Sequence, residues 1–134
     1  MSEDALARVR RFCLALPETS ERLSHGEPTF FVHKKVFVMF ANNHHGDGRV
    51  AVWLPVPPGA QEELLAAAPD RCFKPPYVGG RGWIGLVLER IEDEELGAYI
   101  ETACALIAPR RLKITLSPSP SPAPAASPAA PRRG

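Results

Sequence analysis

The segment His25-Gly26-Glu27-Pro28 sets an imidazole two residues from a carboxylate at a turn. A ring nitrogen beside a carboxylate can move protons, and the same pair can hold a turn together by hydrogen bonds. Neither a G-x-S-x-G elbow nor a local catalytic cysteine signature accompanies it, so a structural or recognition turn is the expectation and no catalytic residue is assigned. His44 and His45 beside Asp47 lie in a glycine-flanked loop, Asn42 to Gly48, without a third ligand at zinc spacing. They read as solvated histidines, and no metal is expected. Gly80-Arg81-Gly82-Trp83-Ile84-Gly85 has the letters of G-x-G-x-x-G. A dinucleotide turn must leave a strand and open a helix, so that helix N–H groups meet the pyrophosphate. These glycines lead into a strand instead, which predicts a tight turn, close backbone approach and no cofactor.

Cations mixed with rings form the remaining signal. Arg71, Lys74 and Arg81 surround Phe73, Pro75, Pro76 and Tyr77, while Lys34 and Lys35 follow His33 at a hairpin tip. Phosphates meet cations and bases stack on rings, so the mixture suits nucleic acid. It equally suits a protein-binding groove, because Tyr, Trp and Arg are the usual anchors there. Arg110, Arg111 and Lys113 favour the negative end of the preceding helix.

The elements that must position these residues follow from pattern. Ala5, Leu6, Val9, Phe12, Cys13 and Leu16 recur at helical steps behind a Ser2 cap and are stopped by Pro17. Glu18 to Pro28 is polar and reads as turns with at most one helical turn. Thr29 to Val32 and Val36 to Ala41 form a hairpin, the second run apolar on both faces and therefore central. Arg49 to Leu54 is a third strand, and Ala60 to Ala68 a helix closed by Pro69. Arg71 to Pro76 is extended, Trp83 to Arg90 is the last strand, and Asp93 caps a final helix burying Leu96, Tyr99, Ile100, Ala103, Cys104 and Ile107. Strands joined by short turns, with helices grouped apart, predict an α+β two-layer domain: an antiparallel sheet with helices packed mainly on one side.

The chain of 134 residues suits one domain. Residues 1–114 are expected to fold and residues 115–134 to form a disordered Pro/Ala/Ser-rich tail, since SPSPSPAPAASPAAPRRG lacks any large apolar residue. Its P-x-x-P and Ser-Pro steps are short patterns that arise readily in biased sequence. Removing Arg132 and Arg133 from 16 basic residues leaves 14 against 15 acidic ones, so the domain carries no overall basic field. Cys13 and Cys104 fall on apolar helical faces and read as core thiols, whereas Cys72 has no such face to place it. With neither a secretion signal nor a membrane span in the pattern, a cytoplasmic location is expected.

Two blocks in order resemble the YjbR/MmcQ family. The first is Phe12-Cys13-Leu14-Ala15-Leu16-Pro17-Glu18 with Leu23-Ser24-His25-Gly26-Glu27-Pro28 and Lys35-Val36-Phe37-Val38-Met39-Phe40. The second runs from Phe73-Lys74-Pro75-Pro76-Tyr77 through Val78-Gly79-Gly80-Arg81 to Gly82-Trp83-Ile84-Gly85. The similarity covers about Ala5 to Leu112. It departs at Thr102-Ala103-Cys104, at the shortened link from Glu89 to Glu94, and in basic character thinned to Lys74 and Arg81. The resemblance implies a YjbR-like, double-wing-like domain; with the cations beside rings its label makes a binding module the leading reading, and the lack of a catalytic signature leaves no enzyme expected. Its DNA-binding label would engage Lys34, Lys35, Lys74, Arg81 and Tyr77, framed by a turn of His25, Gly26, Glu27, Pro28, Pro76, Gly82 and Trp83. The alternative is a protein-interaction adaptor using the Pro/Tyr/Trp groove; no membrane partner is expected.

Overall fold

The structure is a computed structural model that describes residues 4–42 and 48–109. Its elements run α1 (Ala5–Cys13), β1 (Thr19–Ser24), β2 (Glu27–Val32), β3 (Lys35–Asn42), β4 (Val50–Pro55), α2 (Ala60–Ala67), β5 (Cys72–Phe73), β6 (Trp83–Val87) and α3 (Asp93–Ile107). Single 3-10 turns occupy Val78–Arg81 and Leu88–Arg90. All six strands pair antiparallel in the order β1-β2-β3-β4-β6-β5. This is the expected α+β arrangement, with β3 and β4 at the centre.

Local chemistry sets the helix ends. Asp4 caps α1 by accepting the Ala7 amide at 2.9 Å, a role expected of Ser2, which lies outside the described residues. The helix ends at Cys13, four residues before Pro17, because Leu14 already closes the last turn. In α3 the buried set Leu96, Gly97, Ile100, Ala103 and Cys104 repeats at three- and four-residue steps, and Glu92 rather than Asp93 takes the cap position. Gly97 lies against the Phe12 ring: a Cβ there would come within 3.0 Å of it, so the bare glycine lets α1 and α3 approach. Arg8 ties the two helices together. It donates to Asp93 at 2.6 Å, to the Leu88 carbonyl at 2.7 Å, and to the Ile91 carbonyl.

The main departure from expectation is β1. Thr19–Ser24 pairs residue for residue with β2, from Thr19 opposite Val32 to Ser24 opposite Glu27. Its sequence, TSERLS, lacks the apolar alternation that marks a strand, because an edge strand needs only one face against a neighbour and Leu23 stays 75% exposed. The β1–β2 loop is the tight pair His25-Gly26, both with positive φ, the geometry that matches strand twist in a two-residue hairpin. Along β3 an extra residue, Phe37, interrupts the pairing with β2 and sends Phe37 and Val38 together into the core. Beyond Cys72-Phe73, the Pro75-Pro76 stretch pairs with no strand, since proline brings no N–H to a ladder.

Two apolar clusters result. The larger, beneath α1 and α3, holds Phe30, Phe37, Val38, Leu54, Ile84, Leu86, Leu96 and Ile100. The smaller lies on the far face of the sheet and comprises Ala41, Trp53, Val78 and Trp83, with Val36, Met39 and Phe73 against it. All three cysteines are buried thiols, so Cys72 joins Cys13 and Cys104. Burial pushes the Cys104 thiol up to about 11 and raises Cys13 further, which leaves both protonated and inert near neutrality. Among the described residues, no helix is long and apolar enough to cross a membrane.

Candidate functional site

Strand register assembles the far face. Arg22 stands opposite Thr29, Thr29 opposite Met39, Met39 opposite Trp53, Trp53 opposite Gly85, and Gly85 opposite Phe73. One row thus crosses all six strands, roughly 24 Å at the usual interstrand spacing. Strand alternation then puts Ala51 and Trp53 on the same face of β4, just after Arg49, and Phe31 beside Thr29 on β2.

Three arginines on this face lie over aromatic rings. The guanidinium carbon of Arg22 is 4.3 Å from the Phe31 centroid, that of Arg49 is 4.0 Å from Phe73, and that of Arg81 is 5.5 Å from Trp83. All three side chains are exposed. Stacking on a ring orients the planar guanidinium. On the helix side, cations meet carboxylates. Arg8 and Arg11 pair with Asp93, Arg10 with Glu21, and Arg71 with Glu95 and Asp70. Bonds from Arg8 and then Arg11 hold the Asp93 carboxyl below its ordinary range. The helices also carry Glu62, Glu63, Glu94 and Glu101. Carboxylates also approach the stacked arginines: Asp70 and Glu89 line a cavity with Arg49, and Glu62 lines one with Arg81.

A rigid loop stands at the rim of that face. Val78 donates its amide to the Pro76 carbonyl at 2.6 Å across Tyr77, whose φ of 64° and ψ of −67° make a γ-turn of the rare, positive-φ hand. Gln61 from α2 clamps the loop, its amide nitrogen donating to the Gly79 and Trp83 carbonyls at 2.7 Å each. The Lys74 stem lies across Gly79, where a Cβ would fall 2.7 Å from its Cγ. Gly82, with φ of 91°, turns the chain into β6. Gly85, inside β6, carries the Phe73 ring: an added Cβ would sit 2.3 Å from it. The glycines therefore shape a turn and a close approach ahead of a strand, and they open no helix.

Of the residues singled out in the sequence, Lys35, Arg81, Trp83 and His25 line one cavity of about 370 Å³, together with Met39 and Ile107. Lys34 occupies the β2–β3 turn, and Tyr77 stands 6.5 Å from the Trp53 ring. Trp83 and Pro75 are buried, so Tyr77, at 72% exposure, is the ring this loop presents. The Glu27 carboxylate turns toward the Asn42 amide at 3.3 Å. His44, His45 and Asp47 lie outside the described residues, as do Arg110, Arg111, Lys113 and the tail. Among the described residues, no three His, Cys, Asp or Glu side chains gather as metal ligands would. Arg22 and Arg49 were missed. Arg22 sits in β1, whose polar sequence reads as turns, while Arg49 immediately precedes β4.

A family model described as YjbR matches residues 14–106. The crystal structure of the Deinococcus radiodurans protein DR2400, a DUF419 domain, is similar with a TM-score of 0.64 and 19% identity. That likeness covers 81% of this chain and 84% of the other, and it concerns the fold. No curated protein matches the sequence.

Proposed function

We propose, for a chain that belongs to the YjbR family, that it is a non-enzymatic binding module whose far sheet face takes nucleic acid. The supporting observation is the set of exposed guanidiniums of Arg22, Arg49 and Arg81 that stack on rings of one face. Phosphates are the ligand that repeats negative charge at intervals such a face could follow. Lys35 and Lys74 extend the same basic surface, and Lys34 stands at its hairpin end. Because the domain as a whole is near neutral, its affinity depends on this local arrangement and falls steeply with salt.

Titration of the full chain with fluorescent oligonucleotides at several salt concentrations tests the proposal. Log affinity should decline linearly with log salt, with a slope of about −3 to −5 for the arginines and lysines named. Absence of binding at about 50 mM salt would end the nucleic-acid reading, and the protein-adaptor reading on the Tyr77 rim would take its place.

A further inference from the structure

Resting on the nucleic-acid reading for the class of ligand, we infer that the cavity of about 370 Å³ lined by Lys35 and Arg81 holds one nucleotide unit. Its phosphate lies between those two cations and its base over Val36 and Met39. Strand register arranges the lining. Trp83 stands opposite Pro55, two residues beyond the Trp53–Gly85 pair, and Lys35 and Val36 precede Met39 toward the same end of the sheet. Arg81 reaches this end as well, its guanidinium carbon 5.5 Å from the Trp83 centroid. Ser24 and His25 stand at the other end, with Thr29 between. From Val32, opposite Lys35, to Glu27, opposite Ser24, β2 rises roughly 16 Å. The lining side chains of Lys35 and His25 shorten that span.

The cavity is thus graded along its length: cations, then an apolar floor, then hydroxyls and an imidazole. Among the described residues, no carboxylate lines it. Three other cavities each contain at least one: Asp70 and Glu89 beside Arg49, Glu95 between α2 and α3, and Glu62 at the start of α2. Arg81 borders the last of these too, which leaves Lys35 as the cation proper to this cavity. A complementary ligand has an anion at one end, a flat apolar body, and a hydrogen-bonding edge at the other. A nucleotide is built that way, with a base whose faces are apolar and whose edge donates and accepts. The volume lies toward the lower end of small-ligand sites, about 300–1,000 Å³. It suits one nucleotide and excludes a duplex.

Amide NMR titrations of the full chain at about 50 mM salt with adenosine 5′-monophosphate, adenosine and inorganic phosphate test this. Displacement of a labelled strand of about 12 nucleotides accompanies them. The monophosphate should bind with a dissociation constant of about 1 mM or below, at least about tenfold tighter than adenosine or phosphate alone. Lys35→Ala should weaken it roughly five- to tenfold, for loss of one charge-assisted contact screened by solvent. Arg10→Ala makes the same change of charge on the helix side and should leave binding within about twofold. Displacement of the strand by the monophosphate would identify the bound unit as part of a strand. Binding without displacement would identify a free nucleotide as the occupant, and both results support the inference. Phosphate or adenosine bound as tightly as the monophosphate, or Lys35→Ala without effect, overturns it. So does a strand that binds when the monophosphate does not, up to about 10 mM, and the nucleic-acid reading then stands. Monophosphate binding without strand binding keeps the cavity assignment and ends the strand reading; binding of neither removes both. Melting curves check that the variants fold, and Lys35, exposed at the start of β3, contributes little to the core.

Discussion

Replacing Arg22, Arg49 and Arg81 together by alanine is expected to weaken nucleic-acid binding roughly a hundredfold and to flatten its salt dependence by about two to three log units per log unit. The slope follows from counterion release, since each lost phosphate contact removes about 0.7 from it on a single strand and about 0.9 on a duplex. The affinity follows from three charge-assisted contacts of about 1 kcal/mol each after solvent screening, about 3 kcal/mol together. The rings beneath these guanidiniums remain, so the fold should tolerate the change with little loss of melting temperature. Alanine at Arg10 and Arg11 is the matched control. Those residues pair with Glu21 and Asp93 on the helix side, and their removal should shift affinity only a few-fold. Equal losses from both sets would show a diffuse charge effect and no defined surface.

Gly85→Ala is expected to destabilise the domain by about 2 kcal/mol, within the range for overpacking, and to lower the melting temperature by roughly 10 °C. The Phe73 ring rests on Gly85 from the neighbouring strand, with an added Cβ 2.3 Å from Cζ and 2.6 Å from both Cε atoms. An aromatic ring laid over a bare glycine from the paired strand is a known way to shield its backbone. Retreat of the ring is obstructed, because Arg49 stacks 4.0 Å above it. The pair Gly85→Ala with Phe73→Ala should therefore be more stable than the sum of the single effects predicts, by at least about 1 kcal/mol. Strict additivity would mean that Phe73 does not occupy this position.

Much of this organisation was legible in sequence, for reasons that differ between segments. The β2–β3 hairpin, β4, β6 and α3 carry strong apolar periodicity, and burial of those faces fixes them. The glycine segment was readable because proline before it and β-branched residues after it exclude a strand–helix turn. β1 was not legible, since its pairing with β2 is a backbone matter and its side chains face water, Arg10 and Phe31. The site suffered from the same omission. Placing Arg22 on the far face requires the β1–β2 register, and no composition rule supplies that. Lys34, Lys35, Lys74 and Arg81 stood out as cations near rings. The stacked trio became apparent only when Thr29, Met39 and Trp53 were seen in one cross-sheet row. The γ-turn at Tyr77 has no sequence signature beyond the two prolines before it.

What everything else depends on is where a bound strand lies. Backbone amide and tryptophan indole NMR shifts, followed during titration of the full chain with a short oligonucleotide, locate it. The account predicts movement around Arg22, Arg49, Tyr77 and Arg81 and at the Trp53 and Trp83 indoles, with the outer side of α3 silent. Shifts confined to α3, around Glu94 and Glu101, would contradict it.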